Sequence, residues 1–315
     1  MSPEKVALLL FTAAWVLPAG TSEPRPDEIR TAEGNPPLNL ASNSLDDLYR
    51  GCVKAMKRRL PSLLEEELEE NQLFREAWDQ AKEMWMQMEN QTIFPKTLRA
   101  LYSVAVLAYT LEEPPLYALF NVATRTAWKS PQAYAGFAFK SLYFLLTRAA
   151  KKLGAKEPSC AKVYRGTKVK FSIEGLFRFG QFTSTSEKRQ EAEEFGRTTF
   201  FVLVSCQGFP VGNLSCFWGE EEMVVPPYET FRVTGVKETP RKKTVHAKSV
   251  GVCSNHNCAY LGKEGNRTMS CPDHQESGAV CFRARDLNNF DPGTVRAVPS
   301  RSRLSSMGTR LYGYQ

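Results

Sequence analysis

The chain has 315 residues, 42% hydrophobic and 24% charged, with a formal net charge of +7. That is an ordinary globular composition, long enough for one large domain or two small ones. The acidic stretch Glu65-Glu66-Glu67-Leu68-Glu69-Glu70 offsets several basic ones. No concentrated basic face for nucleic acid emerges, and Gly-rich loops of the Rossmann or Walker type are missing.

The first residues set the expected compartment. Lys5 precedes the apolar run Val6 to Leu17, and small residues (Ala19, Gly20, Thr21, Ser22) follow. This is the layout of a secretory signal over residues 1–22, too short for a comfortable membrane span. In an oxidising compartment the even count of eight cysteines implies disulfides. Sequons at Asn90, Asn213 and Asn266 are compatible with glycosylation. Residues 23–43 read as a flexible lead-in, and residues 276–315, rich in Arg and Ser, as a disordered basic tail. That tail has no apolar end, so neither a transmembrane nor a lipid anchor is expected.

Helices come next. Ser44 with Asp47 makes a capping-box start, and Ser62 with Glu65 makes another just after Pro61. Phe74, Trp78, Ala81, Trp85 and Met88 recur at spacings of four and three, one apolar stripe on a helix. Residues 98–109 and 116–127 predict two further helices around the Pro114-Pro115 turn. Ser130-Pro131 caps another, which carries Tyr134, Phe137, Leu142, Leu145, Leu146 and Ala149 inward and ends near Gly154.

From Cys160 the character changes. The runs KVYRG, RFGQFTS, TTFFVLVS, EMVV and ETFRVTGV read as short strands between turns. Phe231 and Val233 alternate with Arg232 and Thr234, as in a half-buried strand. Helices first and strands second predict an α+β fold with an antiparallel-type sheet.

Three stretches carry candidate chemistry. If residues 220–225 form a strand, Glu220 and Glu222 share a face and Glu221 points away. Two like charges side by side raise the cost of keeping both ionised. Such a pair fits acid/base work or the stabilisation of an oxocarbenium ion; a solvated charge run is the bland alternative. Ser184, Thr185 and Ser186 end a strand ahead of a helix with Glu187 in its first turn. They either cap that helix or orient a charged partner; without a GxSxG elbow, and with only three histidines, a hydrolase triad is poorly supported. Arg165, inside a strand and before a glycine, needs a fixed anion: a pyrophosphate, which suits its planar donor fork, or an internal salt bridge. Cys253, His256, Cys258, Cys271 and His274 resemble zinc spacing, but behind a secretory signal disulfides are the better reading, and no metal is expected.

An arginine on one strand, Ser-Thr-Ser on a second and Glu-x-Glu on a third together resemble the R-S-E signature of the arginine-specific mono-ADP-ribosyltransferases of the vertebrate ectoenzyme type. The flanks SLDDLYRGC, FNVATRT, FKSLYFLLTRA, VYRGTKVKF, FGQFTSTS, EEEMVVPPYETFRV and HNCAYL match in order, from about Ser44 to Leu261. The resemblance implies a catalytic domain over residues 44–275 with a helical N-terminal portion and a split β-sheet NAD-binding core. NAD is then a co-substrate, not a resident cofactor, and arginine-bearing proteins are the acceptors. It implies that Arg165 holds the NAD phosphate and ribose, and that Ser184, supported by Thr185 and Ser186, positions NAD. It further implies that Glu222 stabilises the oxocarbenium ion, that Glu220 engages the acceptor guanidinium, and that Phe195 lies near the nicotinamide. Disulfides Cys52–Cys258 and Cys160–Cys206 are implied, leaving the pairing of Cys216, Cys253, Cys271 and Cys281 open. The expected protein is a secreted, unanchored monomer resembling the anchorless members. An NAD glycohydrolase with water as main acceptor and a silent binding module are the competing readings.

Overall fold

A computed structural model of the chain describes residues 36–89, 100–154, 160–173, 175–214 and 221–262. After a short strand β1 (Pro37–Leu38), the helical half comprises α1 (Val53–Glu70), α2 (Gln72–Glu89), α3 (Ala100–Thr110), α4 (Leu116–Thr126), α5 (Pro131–Ala135) and α6 (Lys140–Leu153). The predicted stripe on α2 is real: Phe74, Trp78, Ala81 and Met88 are buried, and Trp85 packs against the same core. In α3 every residue from Tyr102 to Thr110 is buried. A helix apolar on all sides belongs at the centre of a core, and α3 lies there, packed on α2, α4 and α6.

Three local expectations give way to tertiary demands. Ser44 and Asp47 do not open a helix, because α1 begins only at Val53. The Ser44 hydroxyl instead donates to the Ala41 carbonyl at 2.8 Å. Ser62 and Glu65 do not open one either: α1 runs through Pro61, and the Ser62 hydroxyl donates back to the Arg59 carbonyl at 3.1 Å. The helix expected from Ser130 to Gly154 is two. Ser130 does cap α5, its hydroxyl accepting from the Ala133 N–H at 3.1 Å. The break before α6 follows from Glu67, whose carboxylate accepts from the N–H groups of Lys140 (2.6 Å) and Ser141 (2.9 Å). A carboxylate on the first N–H groups is a strong start signal, here supplied by another helix.

The strand half comprises β2 (Ala161–Thr167), β3 (Ser172–Ile173), β4 (Leu176–Phe177), β5 (Thr183–Ser186), helix α7 (Arg189–Glu194), β6 (Thr199–Ser205), β7 (Phe209–Pro210), β8 (Glu222–Val225), β9 (Glu229–Thr239) and β10 (Lys242–Val252). The sheet order is β4-β9-β10-β6-β2-β5-β8-β7, while β1 pairs with β3 outside it. The sheet is mixed, not purely antiparallel, because β10 runs parallel to β6 from Lys243–Thr199 to Lys248–Val204. The sequence shows β9 but not β10, whose residues are mostly polar or small; hydrogen bonding to both β9 and β6 makes it a strand.

The sheet is continuous in order but not in strength. β2 pairs with β6 along its whole length, from Ala161–Ser205 to Thr167–Thr199, yet meets β5 at a single register pair, Tyr164–Ser186. The two parts therefore open on either side of that pair, the split implied by the resemblance. Apolar residues of both parts (Val163, Phe201, Leu203 and Phe231 from one, Met223 and Val225 from the other) share one core. Val224 faces the helical core on the opposite side.

Two carboxylates on the loop before α1 hold the end of the described chain against the fold. Asp46, fully buried, pairs with the fully buried Arg178 at 2.8 Å and accepts from the N–H groups of Asn255 and His256. Asp47 accepts from the N–H groups of Tyr49, Cys258 and Ala259 at 2.7–3.0 Å. The Cys52–Cys258 disulfide closes the same junction, and Cys160–Cys206 ties the start of β2 to the end of β6. Cys253 is also disulfide-bonded, so the zinc-like spacing has lost two of its thiolates to oxidation. His256 stacks on Trp128 with ring centres 3.8 Å apart.

Candidate active site

Arg165, Ser184 and Glu222 lie on β2, β5 and β8, the three strands that meet at the split. Arg165 projects from β2 one residue beyond the Tyr164–Ser186 pair, and its Nη1 donates to the Ser184 carbonyl at 2.7 Å. Burial pulls its guanidinium below the ordinary arginine range, while the charges of Tyr109, Glu222 and Tyr117 act the other way. Among the described residues it belongs to no ion pair. The internal salt bridge that would explain a strand arginine without a ligand is therefore not formed there. Its cation is steered by a carbonyl and by the field of Glu222 and remains available to an anion.

Antiparallel register sorts the next two strands. Ser184 lies opposite Val224 and Ser186 opposite Glu222, while Thr183 and Thr185 lie opposite Val225 and Met223. Alternation puts Ser184, Ser186, Val224 and Glu222 on one face, and directly opposed residues have Cβ atoms about 5 Å apart. Thr185 is thus on the other face. Its hydroxyl donates to the Met223 carbonyl at 2.7 Å, tying β5 to β8. Ser186 accepts from the Lys188 N–H at 2.9 Å, a turn that leads toward α7 but does not cap it, since the cap residue of α7 is Lys188.

Glu222 opens β8 and is 8% exposed; Met223, Val224 and Val225 behind it are buried. The apolar run after the glutamates is therefore a mount, with alternate side chains locked into two cores. The strand begins at Glu222, not at position 220. Glu221 has φ 45°, a left-handed conformation that breaks strand alternation. Its exposed carboxylate pairs with Lys188 at 3.4 Å, and its carbonyl accepts from the Glu187 N–H at 3.2 Å. Glu220 lies outside the described residues, as do Asn90 and Asn266; Asn213 falls in the turn Gly212–Leu214.

Phe195 follows α7 and is 57% exposed. Its location is fixed by a backbone contact: a Cβ at Gly166 would lie 2.1 Å from the Gly196 carbonyl oxygen. Only glycine permits that approach, which brings the end of α7 against β2 one residue beyond Arg165. An exposed ring on such a rim is free to cover a planar ligand group.

The helical half adds groups the sequence marks only as core. The Tyr109 hydroxyl donates to the Phe182 carbonyl at 2.9 Å and accepts from Asn121 Nδ2 at 3.4 Å. Exposed Tyr117 and buried Asn121 sit four residues apart on α4, hence on neighbouring turns of one face. The legible signal is an asparagine directly after the apolar run Leu116 to Phe120. Glu229 is also fully buried but serves the scaffold, accepting from Ser205 Oγ and from the N–H groups of Cys206 and Gln207.

Comparison with known proteins gives one family. The sequence model described as "NAD:arginine ADP-ribosyltransferase" matches residues 38–255. The erythroblast NAD(P)(+)–arginine ADP-ribosyltransferase of Gallus gallus is 38% identical over 239 residues, 74% of this chain and 79% of that protein. Ecto-ADP-ribosyltransferase 5 of Rattus norvegicus is 35% identical over 282 residues, 86% and 91% of the two chains. The crystal structure of the eukaryotic mono-ADP-ribosyltransferase ART2.2 is similar at a TM-score of 0.63 with 31% identity, covering 71% of this chain and 99% of its own. A mutant of that protein in complex with NAD gives a TM-score of 0.64.

Proposed function

The chain belongs to the NAD:arginine ADP-ribosyltransferase family, and from that premise we propose how its residues divide the reaction at the split between β2 and β5. The chain transfers ADP-ribose from NAD to arginine side chains and releases nicotinamide. The bond between the ribose C1′ and the nicotinamide nitrogen breaks, and its electron pair leaves with nicotinamide. A guanidinium nitrogen of the acceptor then bonds C1′ and loses a proton.

Arg165 holds the dinucleotide phosphate. A planar donor fork suits phosphate oxygens, and its own carbonyl contact sets its direction without using up its charge. Ser184, on the adjoining strand, positions NAD, with Thr185 and Ser186 keeping β5 in register. Glu222 places a carboxylate, held by a rigid strand, beside the carbon that becomes cationic as nicotinamide departs. Fixed charge aimed at developing charge in a water-poor site is where electrostatic stabilisation is largest. Phe195 covers the nicotinamide end from the rim. Glu220 engages the acceptor guanidinium: arginine is protonated in water, and a neighbouring carboxylate can orient it and draw off its proton.

The observation that carries this reading is the arrangement of Arg165, with a directed guanidinium and no ion-pair partner among the described residues, and of Glu222 on β8, across β5 from it. The test is incubation with labelled NAD and an arginine-rich acceptor. Transfer is expected, falling about a hundredfold or more in Glu222→Gln. No label above that variant would overturn the assignment. Glu220→Ala is expected to shift the balance from transfer toward NAD hydrolysis, measured as nicotinamide released per acceptor labelled.

The working place is outside the cell. The disulfides Cys52–Cys258 and Cys160–Cys206 support this, as do relatives named as ectoenzymes. No described helix is long and apolar enough to cross a membrane. Some relatives are named as GPI-linked, among them one from Homo sapiens at 35% identity. A released, unanchored form is part of the proposal. Recovery from the medium of expressing cells supports it, and retention on cells until phospholipase treatment overturns it.

A further inference from the structure

The register of the large sheet gathers cations that lie far apart in the sequence. On β9, β10, β6 and β2, alternate residues (Phe231, Val245, Phe201 and Val163 among them) face an apolar core. The positions between them, on the other face, hold Arg232, Lys237, Lys242, His246, Lys248 and Lys162, and no Asp or Glu. Helix α7 covers one end of this face: Ala192 packs with Phe200 and Val202, and Glu193 takes Lys242 at 3.4 Å. Beyond it lies an open row, in which Arg232 is opposite Lys248, Lys248 beside Val204, and Val204 opposite Lys162. Arg232, Lys248 and Lys162 are all exposed. Neighbouring strands are about 4.8 Å apart, so these cations stand in a line about 14 Å long. Among the described residues none of them enters an ion pair. The other face of the same hairpin is neutralised, because Glu238 pairs there with Lys170 at 3.0 Å and Lys243 at 3.5 Å. Like charges directly opposite on paired strands are destabilising, so Arg232 facing Lys248 is a cost to the fold that an anionic partner would offset.

We propose that this row, Arg232–Lys248–Val204–Lys162, is a docking site for a sulfated polysaccharide. It is one residue wide and crosses four strands, a shape that matches a linear polyanion. A bilayer surface is a poorer match. None of the exposed large apolar side chains of the described residues lies on this face: Val236 is the register partner of Val245, which points into the core. Tyr164, in the adjoining row, offers a partly exposed ring for a sugar to lie on, with the Lys162 ammonium 5.6 Å from its centre. The choice of a sulfated glycan over a nucleic acid rests on the extracellular reading above. Arg165 belongs to the opposite alternation on β2, so occupation of the row leaves the arginine of the cleft untouched.

The experiment is binding of the full chain to heparin at several salt concentrations. The wild type is compared with a row variant, Lys162→Gln with Arg232→Gln and Lys248→Gln. A control of equal charge loss carries Lys54→Gln, Arg58→Gln and Arg59→Gln at exposed positions of α1. The row variant is expected to bind about tenfold more weakly or worse at physiological salt and to lower the salt slope by about three, one per cation removed. The control should change affinity by less than about twofold. Equal losses in the two variants assign binding to overall charge and overturn the proposal, as does a wild type that does not bind. Tighter binding of the wild type to duplex DNA or to phosphatidylserine vesicles than to heparin overturns the choice of partner. Transfer of ADP-ribose to a small arginine acceptor should be unchanged in the row variant; a parallel fall would place the row in the cleft and overturn it as a separate site. If the row variant does not fold, Lys248→Glu serves instead, because it gives Arg232 an opposite charge across the strand pair. Weakened heparin binding then supports the site, and wild-type affinity overturns it. A chain retained inside cells refutes the extracellular reading, whereas an exported chain whose row variant binds heparin like the wild type refutes only this inference.

Discussion

Gly166→Ala tests whether the geometry of the split controls the chemistry. The added Cβ would lie 2.1 Å from the Gly196 carbonyl oxygen and 2.2 Å from that of Ala192. An ordinary carbon–oxygen contact is about 3.3 Å, so the backbone around residue 196 must retreat by about 1 Å. No rotamer change relieves this, because both clashing atoms are main chain. Gly196 cannot easily yield either: it sits at φ 139° with its own Cβ position 2.4 Å from the Thr167 carbonyl carbon. Overpacking of this kind costs about 1–3 kcal/mol. The functional loss should be larger than stability alone explains. Phe195 rides on the displaced segment, Arg165 is the neighbouring residue, and misplacement by about 1 Å can cost about a hundredfold in rate. The assay is kcat/KM for labelled transfer at a temperature well below the melting transition of the variant, with thermal unfolding measured in parallel. A Gly166→Ala protein with wild-type kcat/KM would refute the argument that this backbone contact sets the site.

Two further outcomes concern stability. Desolvation raises the carboxyl of Asp47 from 3.8 to about 6, against the lowering effect of its N–H partners at Cys258, Tyr49 and Ala259. A folded pKa above the unfolded one means that its contribution is fully present below about pH 4 and is lost as pH rises through about 6. Two pKa units correspond to about 3 kcal/mol. Urea unfolding of wild type and Asp47→Asn across that window should show the extra slope only in the wild type; parallel curves would refute it. Replacing Cys160 and Cys206 by serine opens a loop of sequence separation 46. It should lower unfolding free energy by up to about 4 kcal/mol, measured by denaturant titration, and an unchanged midpoint would count against the staple.

Much of this protein is legible along the chain where the determinant is local. The stripe from Phe74 to Met88 needs only the helical period, and the Ser130 cap with Pro131 needs only its own turn. Val163 to Gly166, Phe200 to Val204 and Phe231 to Val233 show themselves as strands by their residue types. The candidate groups Arg165, Ser184 and Glu222 could be named because each is chemically out of place in a strand. Misreadings arose where a side chain serves a distant partner. Asp47 imitates a capping box, yet its carboxylate is taken by the N–H groups of Cys258 and Ala259, 211 and 212 residues away. Glu67 sits in an acidic run that the sequence shows only as an offset to basic ones, yet it starts α6, whose Lys140 N–H is 73 residues along.

What the sequence determined alone was therefore the inventory: helices, then strands, and the charged and hydroxylic residues fit for cleaving a glycosidic bond to a cationic leaving group. What only the tertiary structure decided was their mutual placement. The single register pair between β2 and β5, the left-handed backbone at Glu221 that makes Glu222 the first strand residue, and the Gly166–Gly196 contact all depend on groups far apart in the chain. Local propensity acts over a turn or a strand, whereas a site built across a split in a sheet exists only once backbone hydrogen bonds and close packing have fixed which strands meet and where they part.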